Sequence, residues 1–220
     1  MDGRGFYRVV LNEDWTLADL YEFPHAYSQN YAFIYCLDSN LRPRDQDRIG
    51  RALQEYPWRG GYSYVNIYAV LQNQIPQFER PKIKSIQKSS PGWLDLFLNV
   101  DVAIEVAKSV AVLSGAAASA VLAYKKIQKY LADINVYRKK MQLQEMQISE
   151  QQAKTINAMC FEMAKFLGFK KVKELHEWSG HPEVTLKLLL AHYRRVSVLA
   201  EFVEKGKAEL PIIEAQKAGR

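Results

Sequence analysis

Cysteine is nearly missing from this chain. Its 220 residues hold two, Cys36 and Cys160, far apart and outside any C-x-x-C spacing. That argues against a disulfide framework, a cysteine-built zinc site and a dithiol redox centre, and predicts two buried, reduced thiols. Proline is absent from 92 through 181, so nothing there forces a helix to stop. Serine nucleophile elbows of the G-x-S-x-G type are lacking, as is the Lys-Ser/Thr of a phosphate loop. The opening residues Met1-Asp2-Gly3-Arg4-Gly5 carry no apolar leader and no small-residue cleavage site, which makes a cytoplasmic location the expectation.

What the sequence has is apolar content, 48%, enough to bury a sizeable core, and a surplus of 30 basic over 24 acidic residues. That net charge of +6 permits contact with acidic surfaces without requiring it. The surplus is uneven: residues 1–91 hold 11 basic and 10 acidic side chains, residues 92–220 hold 19 and 14. Six of the eight prolines and nine of the thirteen tyrosines fall in the first 91 residues. The chain therefore divides into a small aromatic-rich α+β module over 1–91 and a helical bundle over 92–210, with a frayed tail over 211–220. The fold class is α+β and predominantly α.

Within the first module, Phe6 to Leu11 has the β-branched and aromatic character of a strand. Asp14 or Thr16 caps a short helix that Pro24 should interrupt. Ala26 to Cys36 is read as helix, Arg42 to Asp45 as a loop, Asp47 to Tyr56 as a short helix, and Trp58-Arg59-Gly60-Gly61-Tyr62 as a turn with binding potential. Tyr64 to Leu71 suits a helix, and the alternation of Lys82 to Gln87 predicts a half-buried strand. Ser89-Ser90-Pro91-Gly92 then reads as a helix start, with a capping serine and proline at the first helical position.

The long helix expected from there, about 92–148, carries apolar residues every seven positions: Val106, Leu113, Ala120, Ile127, Ile134, Met141 and Ile148. The companion register decays from Ser109, Ala116 and Ala123 to Gln144 and Gln151, so a strict coiled coil is not implied. The pattern predicts a narrow packing seam with an alanine-rich waist, its principal residues being Val106, Leu113, Ala120, Ile127 and Ile134. A core helix of an ordinary bundle explains the same spacing. Ser149 with Gln152 forms a capping box, so further helices are expected over about 150–167, 169–179 and 182–205.

Three readings of function follow. Non-enzymatic interaction or assembly through the seam, with a second copy or another protein subunit, is favoured. Membrane association is the alternative: 109–124 holds no charge and Lys125, Lys126 and Lys129 follow it. Yet 16 residues fall short of the ~20 that span a bilayer. Nucleic-acid contact ranks third, through the basic helical residues Lys125, Lys126, Arg138, Lys139 and Lys140, which no nucleic-acid motif frames. No residue is assigned to catalysis, cofactor or metal. His176 and His181 lie five apart, where a helix would turn them to different faces. Asp45, Asp47, Glu55 and Glu79 are scattered.

Overall fold

The computed structural model describes residues 3–37, 41, 43–55, 67–89, 91–144 and 147–212. The Trp58 to Tyr62 turn, Ser90 and most of the tail lie outside them. The fold is α+β and mostly helical, as expected, with eight helices and one four-stranded antiparallel sheet among the described residues.

Strand β1 (Arg4–Leu11) sits at the centre, between β3 (Gly92–Asn99) and the short β4 (Ala208–Glu209), and β2 (Lys82–Gln87) pairs with β3 at the edge. The register sets Phe6 opposite Phe97, Arg8 opposite Asp95 and Val10 opposite both Trp93 and Glu209. Because strand side chains alternate, Tyr7, Val9, Leu11, Leu94, Leu96 and Leu98 all point to one face, where they are buried. Each contributes about 1.5–3 kcal/mol relative to exposure.

The expected helix start at residue 92 is therefore corrected, since 92–99 is strand. Leu94, Leu96 and Leu98 alternate with period two, and pairing with β1 exploits that period. Gly92 closes the β2–β3 hairpin so tightly that a Cβ there would lie 2.5 Å from the Gln87 carbonyl oxygen. The sheet draws strands from both sides of residue 91, where the chain was divided.

Helix α4 (Val100–Gly115) follows without a loop, its first turn capped by Asn99, whose Oδ1 accepts the Val102 N–H at 3.2 Å. Helix α5 (Ala117–Met141) then leaves at a 91° bend. Ala116 departs from helical geometry (φ −129°, ψ 17°), and its small neighbours allow the corner to close. The alanine-rich waist of the expected long helix is a corner, and the seven-residue spacing runs across two helices of different direction.

Helix α1 (Leu17–Cys36) starts with a capping box between Thr16 and Asp19 and continues through Pro24, contrary to the expected interruption. Losing one backbone hydrogen bond and accommodating the ring costs about 3 kcal/mol. Full burial of Phe23, Tyr27 and Tyr31 on the same helix outweighs it. Helix α2 (Pro43–Glu55) begins inside the expected loop, with Pro43 at its first position, and α3 is Ile67–Gln74.

Helices α6 (Glu150–Phe166), α7 (Val172–Ser179) and α8 (Pro182–Glu204) fall close to expectation. Helix α8 is buried on nearly every side between Val184 and Tyr193, as only a helix surrounded by other elements can be. Trp15 and Phe23 pack on its Phe202 at 5.3 Å between ring centroids, tying α1 to it. Both cysteines are buried and reduced.

Candidate interaction surface

The expected seam residues Val106, Leu113, Ala120, Ile127 and Ile134 are between 0 and 4% exposed and belong to the chain's own core. Met141, the sixth position, is half exposed. In this fold the apolar spacing is consumed inside the chain, and other surfaces face outward.

The basic residues separate in the same way. Lys125, Lys126, Lys139 and Lys140 are exposed on α5, but the two pairs lie about 20 Å apart along the helix. Lys126 also lies 3.9 Å from the Glu162 carboxylate. Arg138 departs from them, being buried. Its guanidinium holds the Glu183 carboxylate at 2.5 and 3.3 Å, and Lys187 Nζ reaches the same carboxylate at 2.8 Å. The three side chains are 7, 1 and 2% exposed respectively. Arg138 Nε also donates to the Gln147 carbonyl. Burial opposes ionisation of Glu183, yet the hydrogen bonds and charges of Arg138 and Lys187 outweigh it, and its carboxyl is held below the usual range. Arg138 therefore has no face left for a phosphate; it anchors α5 to the N-terminal turn of α8.

Near that turn a cleft of about 260 Å³ is lined by Asn157, Cys160, Phe161, Val172, Lys173 and His176 among others. A thiol beside an imidazole could suggest nucleophilic chemistry, but burial pushes the Cys160 thiol up to about 12, so thiolate is scarce at neutral pH. His176 Nδ1 is engaged with the Thr185 hydroxyl at 3.2 Å, and that hydroxyl with Ser179 at 2.7 Å. His181 caps α8, its Nδ1 accepting the Glu183 N–H. Among the described residues no group of three or more His, Cys, Asp or Glu side chains could hold a metal ion.

No single helix among the described residues is long and apolar enough to cross a membrane; α4 and α5 reach the required length and composition only together, across the 91° bend. Segment 109–124 straddles that bend, with Ser109, Val110, Leu113, Ala120 and Ala123 inside the core and Val112, Val121 and Leu122 outside.

Large apolar side chains are exposed on α1 (Leu17, Tyr21) and α5 (Leu122, Val136), and a further uncovered surface, where aromatic and charged groups meet, is the outer face of the sheet. Strand alternation places Arg4, Phe6, Arg8 and Val10 of β1 there, with Trp93, Asp95 and Phe97 of β3. The β2 register adds Lys82, opposite Phe97, and Ser85, opposite Asp95. Lys84 falls at an irregularity between Ile83 and Ser85, and its Nζ lies 5.3 Å from the Phe97 ring centre. All of β2 is exposed, correcting the expected half-burial: the sheet edge overhangs the helices.

Phe6 is 70% exposed and meets Phe97 at 5.4 Å between ring centres. The Arg4 guanidinium stands 4.5 Å over Phe97, and that of Arg8 4.7 Å over Trp93. Arg8 also grips Asp95 in a bidentate pair at 2.6 and 2.9 Å. The Arg8 hydrogen bond, with a further one from Ser85, holds the Asp95 carboxyl below the usual carboxylate range despite partial desolvation. The face thus presents four cations, Arg4, Arg8, Lys82 and Lys84. Its carboxylates are Asp95, neutralised by Arg8, and Glu209, which accepts a hydrogen bond from Asn12 at 2.8 Å.

None of these outer-face residues figures in the sequence-based assignment, although Arg4, Phe6 and Arg8 alternate with Tyr7, Val9 and Leu11. An aromatic ring on the polar side of an alternating strand was the available signal. Comparison of the chain with protein-family models, with curated proteins and with solved structures found no match in any of the three.

Proposed function

We propose that this chain is a non-enzymatic interaction protein that binds an anionic partner on the outer face of its sheet. The observation that carries the reading is Phe6, a large apolar ring 70% exposed in the middle of a face whose cations outnumber its carboxylates. An exposed aromatic flanked by arginine is an anchor arrangement favoured at binding surfaces, and the lysines beside it add attraction for an anion. Two copies of this face would set like charges against each other, which favours a different, negatively charged partner over self-association. The lysines of β2 also discourage edge-to-edge pairing of sheets, which fits the same preference.

Titration with short-chain inorganic polyphosphate, read by calorimetry at low ionic strength, tests this. Binding should weaken steeply as salt rises. It should be lost in the double variant Arg4→Glu, Lys84→Glu and kept in Lys139→Glu, Lys140→Glu. Absence of binding, or loss only in the α5 variant, would overturn the reading.

A further inference from the structure

The sheet face carries more than charge, and its other component narrows the partner. We infer that the occupant of this face is a single-stranded nucleic acid, bound by base stacking on Phe6 and by phosphate contacts to Arg4, Lys82 and Lys84. This rests on the anionic-partner reading above and adds a chemical class to it.

A polyanion alone would satisfy the cations and leave Phe6 in water. A ligand that repeats a negative charge and a flat π-system along one chain satisfies both, and unpaired nucleotides have that composition. Duplexes do not, because their base faces are hidden in the stack and only edges are offered in the grooves. Cations already cover Phe97 and Trp93, which leaves Phe6 as the ring of this face open to a base. Phe97 lies beside Phe6 and beneath the Arg4 guanidinium, while Trp93 is pinned by Arg8, which Asp95 anchors in turn. Arg4 Nε is buried and makes no hydrogen bond among the described residues, and its guanidinium lies against the Phe97 ring.

Spacing agrees with a short footprint. Phe97 and Trp93 stand four residues apart on β3, about 13 Å at strand rise. Along the strands the face is therefore long enough for roughly two or three unstacked nucleotides, one of them stacked on Phe6. Backbone donors and acceptors of β3 are consumed on both sides of the strand, so base edges above Trp93 and Phe97 have little to read against. Recognition on this face should then be tolerant of sequence.

The test is fluorescence anisotropy with a labelled twelve-nucleotide oligothymidylate, an abasic oligomer of the same length, and a twelve-base-pair duplex. The thymidylate should bind at least tenfold more tightly than the abasic strand and the duplex. Phe6→Ala, a change at an exposed position that the fold should tolerate, is expected to weaken thymidylate binding by roughly tenfold or more. It should leave the abasic strand unaffected, and Phe6→Tyr should restore thymidylate binding. Equal affinity for abasic and base-bearing strands, or indifference to Phe6→Ala, would overturn the nucleic-acid inference while polyphosphate binding still upheld an anionic partner. Failure of polyphosphate itself would remove both.

Discussion

Two groups of cations in this molecule use the same residue types to opposite ends. Between α5 and α8, Arg138 and Lys187 close on Glu183 with almost no solvent, and the three charges become a structural joint. On the outer sheet face, Arg4, Arg8 and Lys84 rest on aromatic rings in contact with water and outnumber the carboxylates beside them. Burial decides which of the two a basic residue becomes, because in a low-dielectric interior an unmatched charge is intolerable, whereas at a surface it is merely solvated. The comparison breaks most sharply at Glu183. Replacing it with Gln strands two buried cations and should cost about 3–5 kcal/mol. The readout is the urea unfolding midpoint, with an unchanged m-value as the sign that stability alone has moved. A change below about 1 kcal/mol would mean that the network is solvated and equivalent to the surface pair.

Acid should separate the two regions next. His192 is fully buried, stacks on Phe33 at 4.0 Å between ring centres, and has no hydrogen bond to either ring nitrogen among the described residues. Burial alone drives its imidazole down to about 3. The unfolded chain takes up this proton near pH 6.5 and the folded chain does not, so stability is lost as pH falls through that window, by up to about 1.4 kcal/mol per pH unit. Glu183 has the same sign at lower pH: its depressed carboxyl contributes stability above the ordinary glutamate value, about 4.3, and that stability is lost as pH falls below it. His192→Phe, which keeps an aromatic ring against Phe33, should flatten the unfolding midpoint between pH 6.5 and 4.5 and leave the steeper fall below. An unchanged slope in that variant would assign the acid sensitivity to other groups.

Legibility in the sequence followed the range of the interactions. The Ser149–Gln152 capping box, Gly180 in the left-handed region at φ 67° and Pro182 opening α8 are local signals, and they located α6 to α8 within a few residues. Longer-range effects overrode local ones elsewhere. Ser-Ser-Pro-Gly at 89–92 resembles a helix start, but the Leu94, Leu96 and Leu98 alternation prevails because β1 offers a pairing partner. Seven-residue spacing cannot register a 91° turn, so a repeat distributed over two helices looked like one seam. Arg138 was indistinguishable from Lys139 and Lys140 because its burial depends on α8 docking beside it, 45 residues away from Glu183 in sequence. The outer sheet face was hidden for a related reason, since residues 4–8, 82–85 and 93–97 become neighbours only through the pairing of β1, β2 and β3.

The smallest expected effect is on the surface carboxylate that mirrors Glu183. Asp95 holds Arg8 much as Glu183 holds Arg138, with bidentate geometry in both places, yet Arg8 is more than half exposed. Asp95→Asn should therefore leave the melting temperature essentially unchanged, because solvent replaces the lost partner. Its consequence should appear in binding instead: with Asp95 neutral, the Arg8 charge is released to a phosphate. One further contact would steepen the dependence of log affinity on log salt for a single strand by about 0.7. A matched pair of measurements, melting temperature and salt slope, thus separates the two kinds of ion pair within one molecule. Should Asp95→Asn destabilise the fold as Glu183→Gln does, the outer face would be a structural joint as well, and its claim to a partner would weaken.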